Sequence, residues 1–394
     1  MRKFVIDKMD TILPSQIRKF FDMASRVPGC VSLGVGEPDF DTPWHIREEG
    51  IYSLEKGNTF YTSNAGMCEL KQEISKYLKR RFDLTYDAND EIMVTVGGSE
   101  AIDLALRVLV EAGDEVIIPE PSYVAYVPCV KLQGASPVII NLKEEDEFRL
   151  TIDALEKAIT AKTKVLILPF PNNPTGACLT EEDVKEIARI CIKYDLFVIT
   201  DEIYAELVYN NIYLSIAGVK GMKERCVYIN GFSKAYSMTG WRLGYACGPK
   251  DVLKAMLKIH QYAIMCAPTT SQYAAIEALK NGDKDISYMK EAYLERKNYL
   301  LHFFKEMEIP CFNPKGCFYV FPNISKYGLS SNEFTERLLL EEKVVVVPGN
   351  AFGACGEGYL RISYAYSIDD LKIALGRIKK FINRLEKEAS VVKK

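Results

Sequence analysis

The 394-residue sequence holds only three histidines, His45, His260 and His302, too few and too dispersed to build a metal cluster. Its 11 cysteines are odd in number, run from Cys30 to Cys355 and contain no C-x-x-C pair. That spacing excludes a zinc ribbon and a disulfide framework. Most of them, such as Cys191, Cys226, Cys247 and Cys266, sit in apolar segments where a thiol behaves as a small hydrophobe. Charge of one sign is missing too: a formal net charge of -3 leaves no basic footprint for nucleic acid or an anionic membrane. The N-terminus, MRKFVIDKMD, lacks the apolar run of a signal peptide, and no stretch approaches a membrane span. The expected setting is therefore soluble and cytoplasmic. With no metal expected, any reaction here calls for an organic cofactor or for carboxylate and lysine chemistry.

What is present is an ordinary globular mixture, 48% hydrophobic and 26% charged, in a chain long enough for two or three domains. Residues 1–44 form a mixed lead-in that reaches VSLGVGEPDFDTP, where glycine and proline mark a loop. G-V-G-E-P-D is not a dinucleotide fingerprint, because the third glycine is missing and Pro38 blocks an immediate helix. From residue 91 short apolar runs alternate with helical patterns: EIMVTV, EVIIPEP, SPVIIN, KVLILPFP, LFVITDEI, CVYING. Strands apolar throughout belong to a parallel sheet covered on both faces, which predicts a large α/β domain over 45–284. Thr180 is placed to cap the helix TEEDVKEIARICIKY. Over 285–394 one long helix, the strand signals GCFYVFP, KVVVVPG and YLRISYA, and a terminal amphipathic helix predict a smaller α+β domain, joined by residues 1–44.

Four features fall at the ends of predicted sheet strands, where ligands bind in open α/β sheets. Gly97-Gly98-Ser99-Glu100 ends a strand and opens a helix, so its backbone N–H groups can face an anion. Phe170-Pro-Asn-Asn173-Pro-Thr-Gly176 makes a rigid loop that can present Asn173, with Pro174 a candidate for a cis bond. Asp201-Glu-Ile-Tyr204 places a poorly solvated carboxylate at a strand end, where it calls for a cationic N–H partner. Ser233-Lys234, with Arg242 eight residues on, sets an amine suited to Schiff-base chemistry beside a planar donor fork suited to phosphate. Lysine, aspartate and anion cradle are jointly the parts that hold pyridoxal phosphate.

LGVGEPDFDTP, FYTSNAG, VTVGGSEA, NNPTG, TDEIY, NGFSKAYSMTGWRLGY and VVPGNAFGACGEGYLRISYA together resemble the class I/II aminotransferases of fold type I, in their aromatic/aspartate-type bacterial and archaeal branch. The resemblance covers essentially the whole chain and implies pyridoxal 5'-phosphate as cofactor. It implies that Lys234 anchors the cofactor and shuttles the proton at the substrate Cα. It further implies that Asp201 pairs with the ring nitrogen, Tyr204 and Asn173 with the ring O3′, and Gly98, Ser99, Ser233 and Arg242 with the phosphate. Tyr123 is implied to stack on the ring, and Tyr61 to be contributed by the other subunit of a homodimer with shared active sites. Arg361 is implied to grip the substrate α-carboxylate, which Gly36 and Asn173 help to enclose.

The implied activity is transfer of an amino group between an L-amino acid, aromatic, aspartate or similar, and 2-oxoglutarate through a pyridoxamine form of the cofactor. The same motifs serve a β C–S lyase and an acetyl-diaminopimelate aminotransferase, because they hold cofactor and carboxylate and not the side chain. A ligand-sensing regulator on this fold needs a DNA-binding domain, for which no room is expected before Ser32 or after the last helix.

Overall fold

The computed structural model describes residues 3–14, 16–25, 27–209 and 213–392. Its centre is a seven-stranded sheet whose strands are β1 (Ile92–Thr95), β2 (Glu115–Glu120), β3 (Ser136–Asn141), β4 (Thr163–Leu168), β5 (Phe197–Asp201), β6 (Cys226–Gly231) and β7 (Gly244–Cys247). The strands lie in the order β1-β7-β6-β5-β4-β2-β3. Every pairing from β6 through β5, β4 and β2 to β3 is parallel, and β7 alone runs antiparallel to both its neighbours.

Alternation of side chains across the pleat sends neighbours to opposite faces. Ile117, Leu166, Val198 and Tyr228 enter one core, with residues of the helices Cys68–Phe82, Glu181–Lys193 and Thr269–Asn281. Ile118, Ile167, Ile199 and Ile229 enter the other, with Ala101 and Leu104 of helix Gly97–Leu109 and Met256 of helix Lys250–Ala263. Two covered faces are what continuously apolar strands require. Thr180 caps the helix after β4 as its sequence position predicts, in a reciprocal box with Asp183: Thr180 Oγ1 accepts from the Asp183 N–H at 3.1 Å, and Asp183 Oδ2 from the Thr180 N–H at 2.8 Å.

A separate core gathers Phe304, Phe318, Tyr319, Leu338, Val344, Ile362 and Phe381. Around it stand the helices Asp283–Glu306, Ser331–Glu342 and Ile368–Val392 and a three-stranded antiparallel sheet of Val347–Pro348, Leu360–Ser363 and Tyr319–Val320. The run KVVVVPG is not one strand. Val344–Val345 pairs in parallel with Val31–Ser32, and after Val346 the chain turns to pair Val347–Pro348 with Leu360–Arg361, so one apolar run serves two sheets. GCFYVFP likewise supplies only two residues of strand. The GGSE segment opens its helix directly: the helix begins at Gly97 itself, which puts both glycines in its first turn.

Close backbone approach fixes that turn. A Cβ at Gly244 of β7 would stand 2.6 Å from both Gly97 C and Gly98 N, and neither backbone atom can swing aside. Gly244→Ala is expected to lower unfolding free energy by about 1–3 kcal/mol in denaturant titration, the usual range for overpacking. Thr180→Ala should lower it by about 1 kcal/mol through loss of a cap. Only the Gly244 change should disturb the Gly97–Gly98 turn. Equal stability of Gly244→Ala and the unaltered protein would contradict the close approach.

Candidate active site

The carboxyl-end edge of the sheet opens on a cavity of about 330 Å³. Asp201 is the last residue of β5, Lys234 follows β6 by three residues, Asn173 lies in the loop after β4, Tyr123 in the loop after β2, and Gly98 and Ser99 in the helix turn after β1. Adjacent strand ends therefore deliver these groups to one place, as a parallel sheet does. The lining includes Gly36, Gly98, Ser99, Tyr123, Asn173, Asp201, Tyr204, Ser233, Lys234, Arg242 and Arg361. Of the residues singled out from sequence, Tyr61 alone is not in that lining; it is 80% exposed.

Lys234 enters from the β6–β7 connection and donates from Nζ to the Gly36 carbonyl at 2.7 Å. Burial is the main cause that pushes its amine down to about 8; Glu37 opposes the shift, while Arg361 and Arg242 add to it. Asp201 is 9% exposed. Its Oδ2 accepts from the Tyr126 hydroxyl at 2.7 Å and its Oδ1 from the Ile203 N–H at 3.3 Å. Burial still raises its carboxyl above the ordinary range, against those two bonds and the charge of Lys234. A carboxyl so placed favours a ligand that brings a cationic N–H.

Arg361 is 3% exposed and lies in the strand Leu360–Ser363. Its Nη1 donates to Asn173 Oδ1 at 3.0 Å and its Nη2 to the Gly34 carbonyl at 2.5 Å, while its buried Nε has no partner. The guanidinium lies 4.5 Å from the Tyr319 ring centroid and 4.8 Å from that of Phe352. It is thus held between two aromatic faces, with Nε the one nitrogen that has no partner. Gly36 is needed beside it, since a Cβ there would stand 2.5 Å from the Tyr319 hydroxyl. Arg242 adopts φ 52°, donates to the Thr239 carbonyl at 2.8 Å and approaches Gly97, whose Cβ would meet Arg242 Nη2 at 2.6 Å.

Two motifs split their work between neighbours. In NNPTG, Asn173 reaches the cavity, whereas Asn172 is wholly buried and ties the loop: its Oδ1 accepts from the Thr175 hydroxyl at 2.8 Å and its amide donates to the Pro121 carbonyl at 3.2 Å. In DEIY, Asp201 faces the cavity and Glu202 turns away, accepting from Ser215 and Thr200 at 2.7 and 2.9 Å, with its carboxyl pushed up to about 7 by burial. Pro174 is not cis; the cis bond in that loop is Phe170–Pro171, with another at Glu120–Pro121.

Sequence reasoning missed Tyr126, Tyr319 and Ile17, all of which line the cavity. Tyr126 opens a helix three residues after Tyr123, and the two rings meet edge to face with centroids 5.6 Å apart. Tyr319 donates to or accepts from the Tyr204 hydroxyl at 2.8 Å, but within an apolar strand it looks like any core aromatic.

A mostly parallel seven-stranded sheet that brings a lysine and a carboxylate from adjacent strand ends into one cavity is the architecture of the fold-type I transferases. The chain belongs to the class I and II aminotransferases, whose family model matches residues 28–378. It is 51% identical over 384 residues to the Bacillus subtilis protein YugH, covering 98% of this chain and 100% of that one. It is 44% identical over 379 residues to an aspartate aminotransferase of Pyrococcus abyssi, covering 95% of this chain and 97% of that one. Among solved structures, the aromatic aminotransferase of Pyrococcus horikoshii superposes with a TM-score of 0.89 at 43% identity, covering 95% and 99% of the two chains.

The Lys234 pKa carries a sign that can be checked. Because it lies below the ordinary 10.5, the folded chain holds fewer protons than the unfolded chain between about pH 8 and 10.5. The penalty this amine places on folding is complete below pH 8 and is relieved as pH rises through that window. Competitive acetylation of the cofactor-free protein should give Lys234 a midpoint near 8. Lys234→Met should flatten the rise in stability over the same window. A midpoint near 10.5 would contradict the burial argument.

Proposed function

We propose that this aminotransferase binds pyridoxal 5'-phosphate in the cavity and moves an amino group between an L-amino acid and 2-oxoglutarate. The observation that carries this reading is the pairing in one cavity of an amine and a carboxyl that burial drives toward neutrality from opposite sides. The fit of the cofactor rests on three further features. The Asp201 carboxyl has no cation in hydrogen-bond contact among the described residues and suits a protonated ring nitrogen. The helix turn at Gly97–Ser99, whose N-cap residue Val96 has no capping side chain, suits a phosphate together with Ser233 and Arg242. Tyr123 offers a ring face, and Tyr204 and Asn173 offer polar atoms for a ring oxygen.

Bound pyridoxal phosphate supplies a carbonyl that condenses with amines and a ring that withdraws electrons from the substrate Cα. Burial lowers the Lys234 amine to about 8, so a larger neutral fraction is available at its Nζ than a solvated lysine offers, which suits it first to hold the cofactor and then to carry the proton at Cα. Tyr126 holds the Asp201 carboxylate toward the ring position. Arg361 turns its free donor and its fork to the substrate α-carboxylate, and Gly36 leaves room for that group beside it.

The substrate range follows the relatives only in outline: one at 44% identity is named for aspartate and a solved structure at 43% for aromatic substrates. We further infer a homodimer in which the exposed Tyr61 of each subunit completes the partner's phosphate site. The division into 1–44, 45–284 and 285–394 is likewise our reading, with the boundary near the start of helix Asp283–Glu306. No described helix is long and apolar enough to cross a membrane, in keeping with a proposed cytoplasmic setting.

An amino acid added without acceptor should convert the absorbance of the cofactor-loaded protein to that of the amine form and release one 2-oxo acid per site. Continuous ammonia and pyruvate release without acceptor would instead identify a C–S lyase. Arg361→Ala should weaken every amino-acid substrate alike, by roughly 10- to 100-fold, the value of a charge-assisted hydrogen bond of about 1.5–3 kcal/mol. Unchanged apparent affinity in that variant would remove Arg361 from the role.

A further inference from the structure

Behind the Gly97–Ser99 turn lies a pair, a buried histidine and a partly buried glutamate, that the proposed reaction does not use. His260, in helix Lys250–Ala263, is wholly buried, and its Nδ1 lies 2.7 Å from Glu100 Oε1. Since the acceptor is a carboxylate, the hydrogen is on Nδ1. The other oxygen, Glu100 Oε2, accepts from the Val96 N–H at 2.5 Å. His260 Nε2 has no partner. Both oxygens of Glu100 are therefore engaged on the side of Val96 and His260, while Gly98 and Ser99 of the same turn face the cavity.

A carboxylate one residue after Ser99 is an intrinsic competitor for the turn's free N–H groups, because acidic side chains cap helix N-termini readily. The geometry points to His260 as a positioning residue that holds the Glu100 carboxylate back, so that the Gly98–Ser99 N–H groups remain available to a phosphate ester. This inference rests on the proposed phosphate role of that turn. His260 reaches the site only through Glu100 and is not itself in the cavity lining. Loss of His260 frees Glu100 to cap the turn from within. Loss of Glu100 as well removes the competitor, so the two changes should not add.

The test is equilibrium binding to cofactor-free protein, read by calorimetry for three probes: pyridoxal phosphate, pyridoxal and inorganic phosphate. His260→Gln should weaken pyridoxal phosphate and inorganic phosphate about tenfold, the scale of an anion at a helix N-terminus, and leave pyridoxal unchanged. Glu100→Gln should bind both phosphates at least as tightly as the unaltered protein, and His260→Gln/Glu100→Gln should match Glu100→Gln. Equal weakening of all three probes by His260→Gln, or no rescue in the double variant, would make the pair ordinary packing and overturn the inference. Should His260→Gln fail to fold, Glu100→Gln alone decides: phosphate binding weakened by that change would equally overturn it. Unaltered protein that takes up neither phosphate would instead sink the proposed function, which separates the two failures.

Discussion

Water cannot fully solvate the Lys234 amine or the Asp201 carboxyl, and both are nevertheless kept in one cavity. Each is carried there by the sheet. Asp201 closes β5, Lys234 follows β6, and the two strands are parallel neighbours in register from Val198↔Cys226 to Asp201↔Ile229. A parallel pair brings its two carboxyl ends to one edge, so the site follows from the strand order. The cost of desolvation is met by specific groups: the Tyr126 hydroxyl and Ile203 N–H on the carboxyl, and the Gly36 carbonyl on the amine.

The C-terminal core and the N-terminal segment contribute what the sheet lacks. Arg361, flanked by Tyr319 and Phe352, comes from the C-terminal region and bonds Asn173 of the sheet loop, while Gly36 of the N-terminal segment accepts from Lys234. The parallel pairing of Val31–Ser32 with Val344–Val345 holds the N-terminal segment near that arginine.

Much of this was legible in the sequence, and the reasons differ by residue. The strands of the large sheet announced themselves because burial on both faces demands unbroken apolar runs. Lys234, Asp201, Asn173 and Arg242 stood out because polar groups at the ends of such runs are costly without a ligand. Tyr126 and Tyr319 were hidden, since a tyrosine in an apolar context reads as packing until its hydroxyl partner is seen in space. The division of labour inside Asn172-Asn173 and Asp201-Glu202 was equally invisible, because it depends on which way each side chain leaves the loop. KVVVVPG misled for a different reason: an apolar run carries no mark of the point where it passes from one sheet to another.

The proposed function requires Lys234 to be the amine that meets the cofactor. Borohydride reduction of the protein after incubation with pyridoxal phosphate, followed by peptide mass mapping, locates that amine directly. One pyridoxyl group per chain on the peptide that contains Lys234 is the expected result. Its stable appearance on any other lysine, with Lys234 unmodified, would contradict the account.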